Sequence, residues 1–214
     1  MGSCGKVIET INLPLIMGAA LLAVASPGPA TLAIASTSMT AGRKNGFALA
    51  MGVSTGSLVW SVFAAMGLGA IMLANAWMLE VIRYMGALYL IYLAYKSAKA
   101  AFGSVGLNAV APVKGDALRA YRSGFLLHMT NPKAIFFFGS LYSIGVPAHT
   151  PIKELIILIA VLLVQSLAVN IGYSLIFSKP AMVKGYQRMY RAFNAAFSLA
   201  FGAAGLKILT TRLG

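Results

Sequence analysis

The chain is poor in the residues from which most enzymatic and metal sites are built. Its 214 residues include one cysteine, two histidines and four acidic side chains, Glu9, Glu80, Asp116 and Glu154. A lone Cys4 excludes an intrachain disulfide and a thiolate metal cluster. With only His128 and His149 beside it, a protein-built zinc site lacks ligands, and neither metal nor other cofactor is expected. Charge of either sign is scarce: Asp, Glu, Lys and Arg make up 10% of the chain, against about 25% in soluble domains. Hydrophobic residues reach 59%, against a soluble norm of about 45–50%. A globule of this size has too little interior to hide so much apolar surface, which excludes a water-soluble domain. A lipid bilayer is the solvent that fits, and six helices of about 20 residues would use roughly 120 residues.

What charge remains is lopsided, with seventeen Lys and Arg giving a formal net charge of +13. In a soluble chain that excess would suggest nucleic acid; here the basic residues fall between apolar runs, and no nucleic-acid partner is expected. A charged residue at a span centre costs roughly 2.5–3.5 kcal/mol, so charge-free stretches mark the spans. Thr10 to Gly42 and Asn45 to Leu79 are the clearest; the third runs from about Trp77 to Ala101, with Glu80 and Arg83 near its entrance and Tyr84 to Tyr95 uninterrupted, and further spans lie near Tyr121 to Val146, Ile152 to Phe177 and Ala192 to Thr211. Ala23-Val24-Ala25 imitates a signal-peptidase site, but the apolar run continues to Gly42, and a retained first span is the simpler reading. Placing the N-terminus outside puts eleven basic residues in the inner loops, among them Arg43, Lys44, Lys96, Lys99 and Lys179, and at most four outside. Positive residues favour the cytoplasm, so both termini are expected to be periplasmic.

The expected architecture is an all-α integral membrane protein, one membrane domain over residues 1–214. A connector at 102–120, with Gly103, Gly106, Pro112 and Gly115, divides three spans in 10–101 from three in 121–212. Halves with an odd number of spans lie in opposite orientations, the inverted-repeat plan of many transporters.

Two helix interruptions fall at corresponding places in these halves. Ser26-Pro27-Gly28-Pro29 lies about 22 Å along the first span, and Thr130-Asn131-Pro132-Lys133 about 15 Å along the fourth. Proline lacks an N–H and clashes with the carbonyl one turn back, freeing backbone groups near Ala23, Ala25 and His128. Taken singly, each proline reads as a kink in a packing helix. Their matched positions, in the polar company of Ser26, Thr31, Asn131 and Lys133, favour a substrate site near the midplane with half-helix N-termini facing a carboxylate. Lys133 has two readings, pairing with that carboxylate or snorkelling to the inner face. Asn170, with Gln165 and Ser166 nearby, either binds substrate or joins helices. His128 reads first as a packing residue and otherwise as a proton-coupling group; Glu80 is the other such candidate, although its spacing from Arg83 suits an ion pair. Gly52-x-x-x-Gly56 marks a close helix contact, either internal or between two copies. With no Asp in the spans and no second carboxylate near Glu80, an intramembrane enzyme is the weaker class; a channel lined by the breaks is a closer competitor.

At these residues the chain resembles the lysine-exporter superfamily, in particular the branch exporting threonine, homoserine and homoserine lactone. The resemblance rests on Pro27-Gly28-Pro29, Gly42-Arg43-Lys44-Asn45-Gly46, Gly86-Ala87-Leu88-Tyr89-Leu90, Gly124-Phe125 and Asn131-Pro132-Lys133-Ala134 in order. It implies a bacterial inner-membrane exporter of a small amino-acid-like solute, proton-driven, with six spans and a homodimeric habit. The two breaks then become translocation elements. Many relatives have Asp or Asn directly after Pro-Gly-Pro, where this chain has Ala30-Thr31, so a side-chain anchor for a substrate ammonium is missing there. Other branches move divalent cations, for which the spans here lack carboxylate and thiolate ligands.

Overall fold

A computed structural model describes residues 10–26, 28–74, 76–103, 112–147 and 150–210, and every regular element among them is an α-helix. In chain order these are α1 (Leu13–Ala25), α2 (Pro29–Thr40), α3 (Gly42–Ala74), α4 (Ala76–Phe102), α5 (Ala117–Met129), α6 (Pro132–Gly145), α7 (Ile152–Ile176) and α8 (Pro180–Thr210).

The local sequence accounts for the helix ends. Asn12 caps α1 by accepting from Leu15 N at 3.3 Å. The helix stops at Ser26, before a segment with prolines at 27 and 29 that cannot continue the hydrogen-bond ladder. α2 restarts with Pro29 in its first turn and is bent 52° from α1. The same grammar recurs at the second break. Thr130 N donates to Leu126 O at 3.0 Å and closes α5; Asn131 then caps α6 by accepting from Lys133 N at 3.0 Å. Both interruptions read from the sequence are therefore helix breaks in the structure. The sharp reversal from α2 to α3 uses Gly42 at φ +83°, a conformation that costs glycine little and other residues more.

Three helical segments are long and apolar enough to cross a bilayer, Gly42–Gly67, Ile152–Ile176 and Arg188–Thr210; the bent α1–α2 pair makes a fourth if taken as one span. α5 and α6, at 13 and 14 residues, are each too short to cross alone, since a crossing takes about 20 residues. The last helix begins at Pro180 instead of near Ala192. Proline is preorganised for a first helical turn, and Tyr186, Tyr190 and Phe193 recur at helical spacing, Tyr186 meeting Phe177 at 4.9 Å. Lys184, Arg188 and Arg191, expected in a loop, thus sit exposed on α8. α5 likewise begins at Ala117, inside the expected connector, because Asp116 caps it by accepting from Arg119 N at 2.8 Å. Of that connector, residues 104–111 lie outside the described set. Its far end is tied down: Val113 N donates to Thr37 Oγ1 at 3.1 Å and Asn45 Nδ2 to Gly115 O at 2.9 Å.

α3 is the hub, packed most extensively on α5 and α7 and also on α2 and α6. A Cβ at Gly52 would collide with the backbone of Tyr121 and Phe125, one at Gly56 would press on the His128 ring, and one at Gly124 would strike Leu49 O. The glycine pair read from the sequence therefore serves an internal α3–α5 seam, where the missing side chains let two backbones close up. α4 and α8 pack chiefly on each other, and α4 joins the rest mainly through α6, where Tyr89 and Phe136 rings meet at 4.7 Å.

The distribution of polarity suits lipid. Leu15, Phe63, Met66, Leu88, Tyr95, Val164 and Leu199 are exposed, whereas Ser36, Thr37, Ser54, Ser57, Ser61, Ser166, Asn170 and Ser174 are buried. Small hydroxyls bond helix to helix or back to their own backbone, as Ser61 does with Tyr142 at 2.6 Å, which satisfies much of the buried polarity without water; the buried His128 Nδ1 and Gln165 Oε1 have no partner among the described residues.

Candidate functional site

The two breaks meet. A cavity with about 50 Å³ of space open to the centre of a water molecule is lined by Gly28, Ala30 and Thr31 at the first break and by Asn131, Lys133 and Ala134 at the second. A single water needs about 10–15 Å³ by this measure, so the space holds several. His128 and Asn170 line it too, with Val53 and Ser57 from α3 and Phe137 and Phe138 from α6.

Lys133 links the breaks. It lies in the first turn of α6, half-buried, and its Nζ donates to Ser26 O at 3.1 Å and to Ser26 Oγ. The ammonium thus reaches across to the end of α1, and a Cβ on Gly28 would come within 3.5 Å of it. The side chain is thus directed at the first break.

The carbonyls released at the first break have protein partners. Ala23 O accepts from Ser26 Oγ at 3.0 Å, Ser26 O also accepts from Thr31 Oγ1 at 3.5 Å, and Ala25 O accepts from Tyr173 Oη at 2.7 Å. At the second break Asn131 N and Thr130 N both donate to His128 O. The helix starts differ. α6 is capped by the Asn131 side chain, whereas the N-cap of α2 is Gly28, which has no side chain to cap with. The start of α2 lines the cavity beside the Lys133 ammonium, with no side-chain cap among the described residues.

On the α3–α7 side a chain of hydrogen bonds runs behind the cavity. Asn170 Nδ2 donates to Ser54 Oγ and Ser166 Oγ, each at 3.1 Å; Ser166 Oγ donates to Ser57 Oγ at 3.1 Å; and Ser57 Oγ meets His128 Nε2 at 3.1 Å. Elsewhere on α7, Gln165 Nε2 donates to Met17 O at 2.9 Å and ties α7 to α1.

Of the residues singled out from the sequence, Gly28, Thr31, His128, Asn131, Lys133 and Asn170 share the cavity, and buried Ser26 contacts it through Lys133. Pro29 and Pro132 stand at the two helix starts, where they set the backbone without lining the space. Pro27 lies outside the described residues, as do His149, Cys4 and Glu9. Glu80 falls on α4, with its side chain outside the described set, as is that of Arg83. The sequence reading missed Ser54, Ser57 and Tyr173. The serines at 54, 57 and 61 carry an i, i+3, i+7 signal of a polar stripe on an otherwise apolar helix; nothing local distinguishes Tyr173 from a packing aromatic.

A multi-pass helical membrane chain with two broken helices around a shared cavity has the anatomy of a translocator. The chain belongs to the family of LysE type translocators, whose family model matches residues 21–212. It is 29% identical over 194 residues to the threonine efflux protein of Escherichia coli strain K12, covering 90% of this chain and 94% of that one. To the homoserine/homoserine lactone efflux protein of Salmonella typhimurium it is 28% identical over 189 residues, covering 87% and 90%. A leucine efflux protein of Salmonella choleraesuis is 32% identical over a shorter stretch, 58% of either chain. No solved structure matches.

Proposed function

We propose that this protein exports an amino acid or amino-acid derivative across the bacterial inner membrane. The efflux relatives set the class, and one observation carries the site assignment: Lys133 of the second break reaches Ser26 of the first across the cavity that both breaks line. A substrate carboxylate fits beside the Lys133 ammonium and the uncapped start of α2, where charge-assisted hydrogen bonds are available. The cationic lining argues against a divalent-cation exporter.

In this reading α1–α2 and α5–α6 are the two broken crossings, and with α3, α4, α7 and α8 they make six crossings in two inverted repeats, residues 10–101 and 121–212. Both termini are periplasmic, which leaves the Arg43-Lys44 turn and the exposed basic start of α8 on the cytoplasmic side. Export runs against a gradient by alternating access driven by protons, with His128 and Glu80 the groups to test for coupling, and two copies of the chain associate in the membrane. Ser26, Gly28, Thr31, Asn131, Lys133 and Asn170 contact the solute, while Pro29 and Pro132 hold the backbone open.

The test is efflux from proteoliposomes containing the purified protein and preloaded with radiolabelled threonine, homoserine or leucine. Efflux above that of protein-free vesicles, accelerated by an imposed proton gradient, is expected. Rates equal to protein-free vesicles for all three would overturn the reading, and export indifferent to the gradient would overturn the coupling alone.

A further inference from the structure

The cavity has a second polar end opposite in character to Lys133. Asn170 is 3% exposed and sits in the last third of α7, an apolar crossing. An amide in such a place offers two donor hydrogens and one acceptor oxygen, and each must be bonded or face something polar. Both hydrogens are already used. Nδ2 donates to Ser54 Oγ on α3 and to Ser166 Oγ one turn earlier on α7. Ser166 directs its own hydrogen to the α3 serines, Ser57 at 3.1 Å and Ser54 at 3.5 Å, so towards Asn170 it presents a lone pair and requires the nitrogen there. The orientation of the amide thus follows from the serine chain. Oδ1 is left with no hydrogen-bond partner among the described residues, yet it is not one of the polar atoms sealed from solvent. Asn170 lines the cavity, the space beside it where this oxygen can meet a donor, and the other walls there are largely apolar.

We propose that Asn170 Oδ1 receives the ammonium of the transported amino acid, and that Ser54 and Ser166 are positioning residues that turn this oxygen to the cavity. The inference rests on the export reading above, in which the carboxylate lies by Lys133. It supplies the ammonium anchor that Ala30 and Thr31 do not provide after Pro-Gly-Pro. A neutral acceptor also fixes the substrate class. A zwitterion brings one ammonium to one carbonyl oxygen and one carboxylate to one lysine, so no net charge is added to the membrane interior. A second ammonium would have no anion among the residues lining the cavity, and an N-acylated or amine-free acid would leave Oδ1 facing a group that cannot match its need for a donor.

The experiment measures the KM for efflux of L-threonine and of N-acetyl-L-threonine from proteoliposomes of the full chain. The wild type is expected to favour threonine by about tenfold or more, the worth of one charge-assisted hydrogen bond. Asn170→Leu and the double variant Ser54→Ala, Ser166→Ala should bring the ratio close to one. Ser166→Thr, which keeps the hydroxyl, should preserve it. A residue that merely joins α3 to α7 would change the amount of folded protein and leave the ratio alone. A ratio unchanged in Asn170→Leu and in the serine variants overturns the proposal while threonine export stands. If the double variant fails to insert, Ser54→Ala alone must still lower the ratio. Wild-type vesicles that release none of threonine, homoserine or leucine would overturn the export reading itself.

Discussion

Lys133 Nζ donates to the carbonyl oxygen of Ser26 at 3.1 Å, across 107 positions of sequence. An ammonium at this depth is expensive, and here its cost is offset by an oxygen that the broken α1 has released from its own ladder. Each break therefore satisfies the other, and this interaction is the one a carboxylate would join or displace.

Lys133→Met keeps the length and apolar stem and removes the charge. Transport is expected to collapse at normal membrane abundance, with apparent affinity down by roughly ten- to 150-fold, the equivalent of about 1.5–3 kcal/mol. Pro132→Ala, which restores an N–H at the second break, should weaken transport in the same direction. Near-normal transport by both variants, with wild-type amounts in the membrane, would leave the break as packing only.

Tyr173→Phe removes a single oxygen, the donor to Ala25 O at 2.7 Å. The carbonyl at the end of α1 then has no protein partner, a loss of about 1–3 kcal/mol where it is shielded from water. Thermal unfolding of the detergent-solubilised protein should shift downward accordingly. An unchanged midpoint would show that this bond is dispensable to the bend.

Gly124→Val places a branched side chain against Leu49 O at the closest approach of α3 and α5. No rotamer change relieves a clash with backbone, so the variant should insert poorly or aggregate on solubilisation, judged by size-exclusion chromatography. Gly139→Ala, at a position where an added Cβ meets nothing within 4 Å, is the matched control and should behave as wild type.

Orientation is checked by a C-terminal reporter pair. A periplasmic C-terminus predicts an active alkaline phosphatase fusion and a dark cytoplasm-maturing fluorescent protein fusion; the reverse pattern would invert the topology.

The breaks were legible because proline acts locally: a missing N–H and a fixed φ interrupt a helix whatever surrounds it. Helix existence followed from apolar length for the same reason. Boundaries set by distant partners were less legible. α8 extends back to Pro180, where Tyr186 finds Phe177; the helical spacing of Tyr186, Tyr190 and Phe193 is there in the sequence, but the basic residues interleaved with it mask it as a loop. The site was half visible. Lys133 and Asn131 announce themselves by sitting in an apolar span, but a serine in such a helix is unremarkable until its partners are known. Ser54 and Ser57 matter through Asn170, Ser166 and His128, more than seventy positions away, and spacing along one helix carries no information about the facing one. The two roles weighed for Asn170 also prove compatible, since its nitrogen joins helices and its oxygen remains free to bind.

The pairing of α4 with α8 has a mechanical consequence. The two helices lean on each other along their lengths, yet α4 meets α6 through a short patch where Ser140 nests against Gly86 and Phe136 lies over Tyr89. A torque on this pair is resisted by a patch rather than a wall, so the patch acts as a fulcrum: thickening it at Gly86 would stiffen the joint, and trimming Phe136 would loosen it.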